Sequence, residues 1–181
     1  MNRDEAVQMV KNHVKNKNLI KHMVATEAVM IELAAHFNED EQLWGLTGLI
    51  HDLDYDQTYN DFENHGLVTE KMLEKTDVED EVIYAIKSHP GHFPRKNLLD
   101  KALYAVDPLT GLIVAATLMH PTKKIQNVDL DFVLRRFKEK RFAAGADRDQ
   151  IKTCEEFGVS LEEFIELSLK AMKQIDTELG L

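Results

Sequence analysis

Residues 48–58 read "GLIHDLDYDQT". An apolar run ends on the adjacent pair His51-Asp52, and an acidic, aromatic run follows it. An imidazole and a carboxylate at the end of a buried helix are costly to remove from water unless something satisfies both. A hydrogen-bond network, a catalytic dyad or a metal ion would each do so.

Outward from this pair, the pattern is helical almost everywhere. "DEQLWGLTGLI" (40–50) reads as a central, well-buried helix ending on the pair. "KHMVATEAVMIELAAHF" (21–37) places Met23, Ala25, Val29, Ile31, Leu33 and Phe37 at helical spacing. "RDEAVQMVKNHV", "NHGLVTEKMLEK" and "VEDEVIYAIKSH" read as amphipathic helices, with His65 at the start of the second and His89 at the end of the third. "NLLDKALYAVDPLTGLIVAATLM" (97–119) is a long apolar run that Asp107-Pro108 is expected to split. "LDFVLRRFKEKRFA" and "SLEEFIELSLKAMKQIDTEL" close the chain, with Ser160 and Glu163 spaced as a capping box. Residues 52–63, 90–97 and 120–128 read as irregular. Strand-like alternation, repeats and linkers are lacking, so the expectation is all-α: one domain over 1–181, with a core of about 15–120 and C-terminal helices over 128–181.

Composition narrows the function. The 181 residues suffice for one sizeable core, and a net charge of −10 argues against a nucleic-acid footprint. The single cysteine, Cys154, excludes an intrachain disulfide and reads as a small residue near a helix end. The charged start lacks a secretory pattern, and no run approaches 18 uninterrupted apolar residues, so no membrane span is expected and a cytoplasmic location is. The chain has no GxxxxGK loop, GxSxG elbow or HExxH motif.

Chemistry then rests on eight histidines and the acids beside them: His13, His22, His36, His51, His65, His89, His92 and His120. The helical faces turn His22, His51, Asp52 and Asp107 inward. Taken singly, each histidine also reads as a satisfied core residue, and Asp107 before a proline also suits a helix N-cap. Taken together, two imidazoles and two carboxylates lose most of their burial cost around a divalent cation, for which imidazole nitrogen and carboxylate oxygen are good ligands. His13 and His36 read as surface or rim residues.

The order His22, His51-Asp52, Asp107 resembles the HD superfamily of metal-dependent phosphohydrolases, in its short HDIG-type bacterial subgroup. "NLIKHMVATEAVM" is similar to the helix carrying the first histidine, "GLIHDLDYD" to the central helix, and "KALYAVDPLTGLIVAATLM" to the helix of the last aspartate. "NHGLVTEKML" and "VIYAIKSHPG" resemble the segments that hold extra histidines, and "RFAAGADRDQI" and "GVSLEEFIELSLKAM" resemble the tail. The resemblance covers about residues 15–175. It implies a compact helical bundle with a central metal site.

His22, His51, Asp52 and Asp107 would hold a first ion, and His65 and His89 a second, bridged by Asp52. The ion would be iron, manganese, zinc, nickel or magnesium. Asp52, His65 and His89 would be the catalytic residues, and a small phosphate-containing substrate is implied. The chain departs from many dinuclear relatives in having His89-Pro90 where they have two adjacent histidines, and it lacks a GYP tripeptide, which points away from a cyclic dinucleotide. A metal-activated water attacking a phosphate ester is the expected chemistry. The same donors resemble those of HD-fold di-iron oxygenases that oxidise a small diol or phosphonate. A non-catalytic binding module is the third reading. Arg95, Lys96 and Lys101 are candidate phosphate partners or plain surface charges. Asp54 and Asp56 could orient ligand histidines or form a turn with Tyr55 and Tyr59.

Overall fold

A computed structural model describes residues 1–181, all helix and connecting turns with no strand. The first α-helices are α1 (Arg3–His13), α2 (Lys17–Phe37), α3 (Glu41–Ile50), α4 (Tyr55–Thr58), α5 (Leu67–Leu73), α6 (Asp80–Ser88) and α7 (Leu98–Met119). They are followed by α8 (Leu130–Lys138), α9 (Arg148–Lys152), α10 (Leu161–Gln174) and α11 (Asp176–Leu179). Side-chain caps set several starts. Asn16 accepts from Asn18 and Leu19 ahead of α2, and Asp40 accepts from Gln42 and Leu43 ahead of α3. Ser160 accepts from the Glu163 amide, which is half of the expected capping box.

The long α2 is the hub. It packs on α3, α7 and α10, while α7 packs on α6, α8 and α9. The α2–α3 pair is unusually close, because a Cβ at Gly48 would stand 2.9 Å from the backbone of Glu27 and Thr26. The side chain of Glu27, itself buried, takes Arg3 in a two-point ion pair that ties α1 to α2. Two apolar clusters result. A larger one gathers around α2, α7 and α10, and a smaller one around α1, α3, α5 and α6. The HD pair lies at the C-terminal end of α3, a helix that packs on both α2 and α6.

Two expectations need correction. First, Asp107-Pro108 does not split its helix: α7 runs unbroken with Pro108 inside it. A proline removes one backbone donor and leaves the carbonyl four residues earlier unpaired. Here that carbonyl belongs to Tyr104, and the Gln150 side chain of α9 donates to it at 2.8 Å. A contact 46 residues away thus replaces the lost bond, and Asp107 sits within the helix rather than capping it. Second, His65 precedes α5 instead of starting it. It closes a short 3-10 turn over Phe62–Asn64, and Gly66 follows at φ +80, where any Cβ would also meet the Ile86 carbonyl at 2.9 Å. By length and composition alone α7 could cross a membrane, a test that a buried core helix also passes. More than half of its apolar window is buried inside the bundle.

Candidate metal centre

Four imidazole Nε2 atoms and two carboxylates converge on one point of the bundle. His22 comes from the second turn of α2, His51 and Asp52 from the end of α3, and Asp107 from the middle of α7. His65 comes from the turn before α5 and His89 from the end of α6. His22 Nε2 lies 3.2 Å from His51 Nε2 and 3.1 Å from Asp107 Oδ1. His89 Nε2 lies 3.1 Å from His65 Nε2.

Asp52 stands between the two groups and divides its oxygens. Oδ2 faces His51 at 3.5 Å and His22 at 3.7 Å, while Oδ1 faces His65 at 3.3 Å and His89 at 3.4 Å. His22 and Asp107 keep 21% and 30% of their side-chain surface exposed, whereas the other four keep 7% or less. The cluster therefore opens to solvent on the His22–Asp107 side.

Each ring is fixed through its other nitrogen. The last carbonyls of a helix lack intrahelical partners. His51 Nδ1 donates to one of them, Gly48 O, at 2.8 Å, and His89 Nδ1 does the same to Ile86 O. His65 Nδ1 donates to Asp54 Oδ1 at 2.8 Å. His22 Nδ1 donates to Thr110 Oγ1 at 3.0 Å, and that hydroxyl in turn donates to Asp107 O. With Nδ1 committed in all four rings, it is Nε2 that faces the centre, as a lone pair wherever the ring is neutral.

Lone pairs facing each other at about 3 Å repel unless a cation or a proton lies between them. The donor set therefore fits a divalent ion, and two overlapping triads, His22–His51–Asp107 and His51–Asp52–His89, have ligand atoms close enough to share one.

Without an ion, protons on some of the rings balance the carboxylates, and a bound cation would have to displace them. Burial lowers the His51 pKa to about 4, despite the pull of Asp52. Burial also opposes charge on His65, but hydrogen bonds to Asp52 and Asp54 outweigh it and lift its pKa to about 9. The same contest, won by Asp107 and Asp52, raises His22. Burial is likewise outweighed at both carboxylates: His51, with His65 and His89, holds Asp52 well below the usual range, and His22 holds Asp107 down. Burial, with Asp52 and Asp107 adding to it, raises the Tyr55 phenol.

All six predicted side chains thus meet. The two acids after the HD pair separate in role. Asp54 is fully buried: one oxygen holds His65, and the other accepts the Gly66 and Thr69 amides at 2.8 and 2.9 Å. Asp56 instead accepts the amides of Lys15 and Asn16, joining this segment to the α1–α2 turn. The candidate cations contact other groups. Arg95 lies over the Tyr104 ring and pairs with Glu156, and Lys96 lies over Tyr84. His92 Nε2 donates to Phe62 O. Cys154 is buried, and burial pushes its thiol up to about 11.

Sequence reading missed Thr110. It stands three residues after Asp107 on α7, but its partner His22 is 88 residues away, and nothing local announces the pairing.

The HD domain family profile matches residues 19–116, more than half the chain and the whole span from His22 to Asp107. The chain belongs to the HD domain family. Among curated proteins, Ribonuclease Y of Desulfotalea psychrophila (strain LSv54 / DSM 12343) is 26% identical over 138 residues, 74% of this chain and 26% of that protein. The chain therefore spans about a quarter of that relative's length. No solved structure matches it. The superfamily is one of metal-dependent phosphohydrolases, so the HD domain here carries a buried His/Asp cluster able to hold a divalent metal.

Proposed function

We propose that this HD domain hydrolyses a phosphate ester of a nucleotide or other small molecule, with His22, His51, Asp52, His65, His89 and Asp107 as ligands of one or two divalent cations. The observation that carries this reading is the divided carboxylate of Asp52, whose two oxygens address separate pairs of Nε2 atoms. A divalent cation held there supplies Lewis acidity, lowering the pKa of a water from ~15.7 toward about 7 and offsetting phosphoryl charge.

The chain's own contribution is placement. The carbonyls of Gly48 and Ile86, the Thr110 hydroxyl and Asp54 hold the four rings by Nδ1 and aim their Nε2 atoms at one point. His51, His65 and His89 are nearly closed off from bulk water, and the ester enters on the His22–Asp107 side, which Tyr55 borders, its phenol feeling both Asp52 and Asp107. His65 and His89 also stand where a proton could pass to the departing oxygen if the second ion is absent.

Ribonuclease Y is by name an enzyme of RNA, and its similarity supports phosphoester chemistry. The charge of −10 on this chain supports a small substrate over a polynucleotide.

The same donor set supports an HD-fold di-iron oxygenase of a small diol or phosphonate as the second reading. Elemental analysis, paired with manganese-supplemented assays on phosphate esters and with dioxygen uptake, separates the two. Phosphate release is expected. Iron-dependent oxygen uptake without phosphate release refutes the hydrolase. Asp52→Ala is expected to lose most bound metal and all turnover while keeping its helical circular dichroism. Wild-type metal content and turnover in that variant would displace the site altogether.

A further inference from the structure

Five large apolar side chains are exposed in this fold, and three of them, Tyr55, Tyr59 and Phe62, fall within eight residues soon after the HD pair. They are 41%, 65% and 56% exposed. Scattered surface apolar residues need no explanation, but a cluster of exposed rings beside a polar site does. Two of these rings lie against the same imidazole. Tyr55 meets His65 edge-on with centroids 5.3 Å apart, and Phe62 is tilted against it at 5.9 Å. His65 itself is only 3% exposed, so the two rings form the solvent-facing layer over a buried member of the cluster.

Their placement is fixed by the fold around them. His92 donates to the Phe62 carbonyl at 2.8 Å and packs edge-on against its ring, centroids 5.1 Å apart. His65 is held by Asp54, whose backbone carbonyl also takes the Thr58 hydroxyl at 3.0 Å. Two aromatic faces are thus carried on a braced segment, next to the donors, and remain in water.

Such faces bind flat rings. Stacking on an aromatic side chain is tolerant of ring identity, because every base or aryl group has a π-face. Negatively charged clusters repel acidic ligands unless cations are present, so a face beside them suits the uncharged end of a substrate. We propose that Tyr55 and Phe62 form a platform for a planar aromatic ring on the alcohol side of the ester, and that this platform sets which phosphate esters the site accepts. Tyr59 is the most exposed of the three. This inference rests on the phosphohydrolase reading and deepens it.

The test compares esters that differ in the ring alone. The manganese-loaded chain is assayed with a nucleoside 5′-monophosphate, phenyl phosphate, ribose 5-phosphate and glycerol 3-phosphate. A KM about tenfold lower for either ring-bearing ester is expected, on the scale of one stacked base. Phe62→Ala and Tyr55→Leu should each raise that KM about tenfold while leaving KM for ribose 5-phosphate and kcat for both within twofold. Tyr55→Phe, which keeps the face, should behave as the unaltered chain.

A rim that merely shields His65 predicts something else: an equal fall in kcat on every ester, which would overturn the proposal. Equal KM values for ring-bearing and ring-free esters would overturn it too. Saturation-transfer NMR with a free nucleoside and the metal-stripped protein gives a readout independent of turnover. A base-proton signal that disappears in Phe62→Ala supports the platform, and a signal unchanged in that variant refutes it. Turnover of no ester at all would instead sink the hydrolase reading, and the NMR result would still decide the platform.

Discussion

Replacing Asp54 by asparagine changes one oxygen to a nitrogen and little else, yet it removes an acceptor from a place where three donors meet. His65 Nδ1 and the Gly66 and Thr69 amides all point at this carboxylate. An amide has one accepting atom, so one side must face donor with donor. The His65 ring then loses the partner that orients it. Asp54→Asn is expected to lower cation affinity on the His65–His89 side about 10- to 100-fold, the range for ligand-orienting partners. Titration with manganese should show the loss in the weaker step, with circular dichroism unchanged. Identical titrations would show that His65 is no ligand. At this scale the sequence was informative about identity and silent about support. "HDLDYD" displayed Asp54 openly, two residues from the pair. The Thr110 hydroxyl that holds His22 could not be seen, because only the crossing of α2 and α7 brings residues 88 apart together.

Between elements, the site depends on how closely α2 and α3 approach. His22 and His51 come from these two helices, and their Nε2 atoms are 3.2 Å apart. Gly48 permits the approach because its missing Cβ would stand 2.9 Å from Glu27 backbone atoms, which have no flexible end to move aside. Gly48→Ala should therefore cost about 1–3 kcal/mol, the usual range for overpacking a well-filled contact. Urea denaturation would measure it, and a midpoint equal to that of the parent would contradict the account. Gly45 faces a milder version, since its nearest neighbours are Ile31 side-chain atoms that can shift. Helical periodicity made α2, α3 and α6 readable from one sequence. It failed at Pro108 for a physical reason. The bond that lets α7 continue comes from Gln150 on another helix, and nothing near Pro108 announces it.

As a whole molecule, this HD domain gathers its six polar side chains from α2, α3, α6, α7 and the turn before α5, so a cation bound there links most of the bundle. A ligand that binds only the folded state adds RT ln(1 + [L]/Kd), or about 4 kcal/mol at a thousandfold excess over Kd. Chelation should thus lower the melting temperature by about 10 °C in a chain of this size. Scanning calorimetry with and without a chelator checks it, and an unmoved transition would mean that the cluster holds no cation in solution.

The solitary Cys154 lies in a short 3-10 turn, Thr153–Phe157, packed on α7, the helix that brings Asp107. Its sulfur is sealed from solvent and reluctant to ionise. A thiol reagent can consequently reach it only when this layer breathes, so the rate of modification becomes a clock for the opening of the bundle, and saturating manganese should slow that clock.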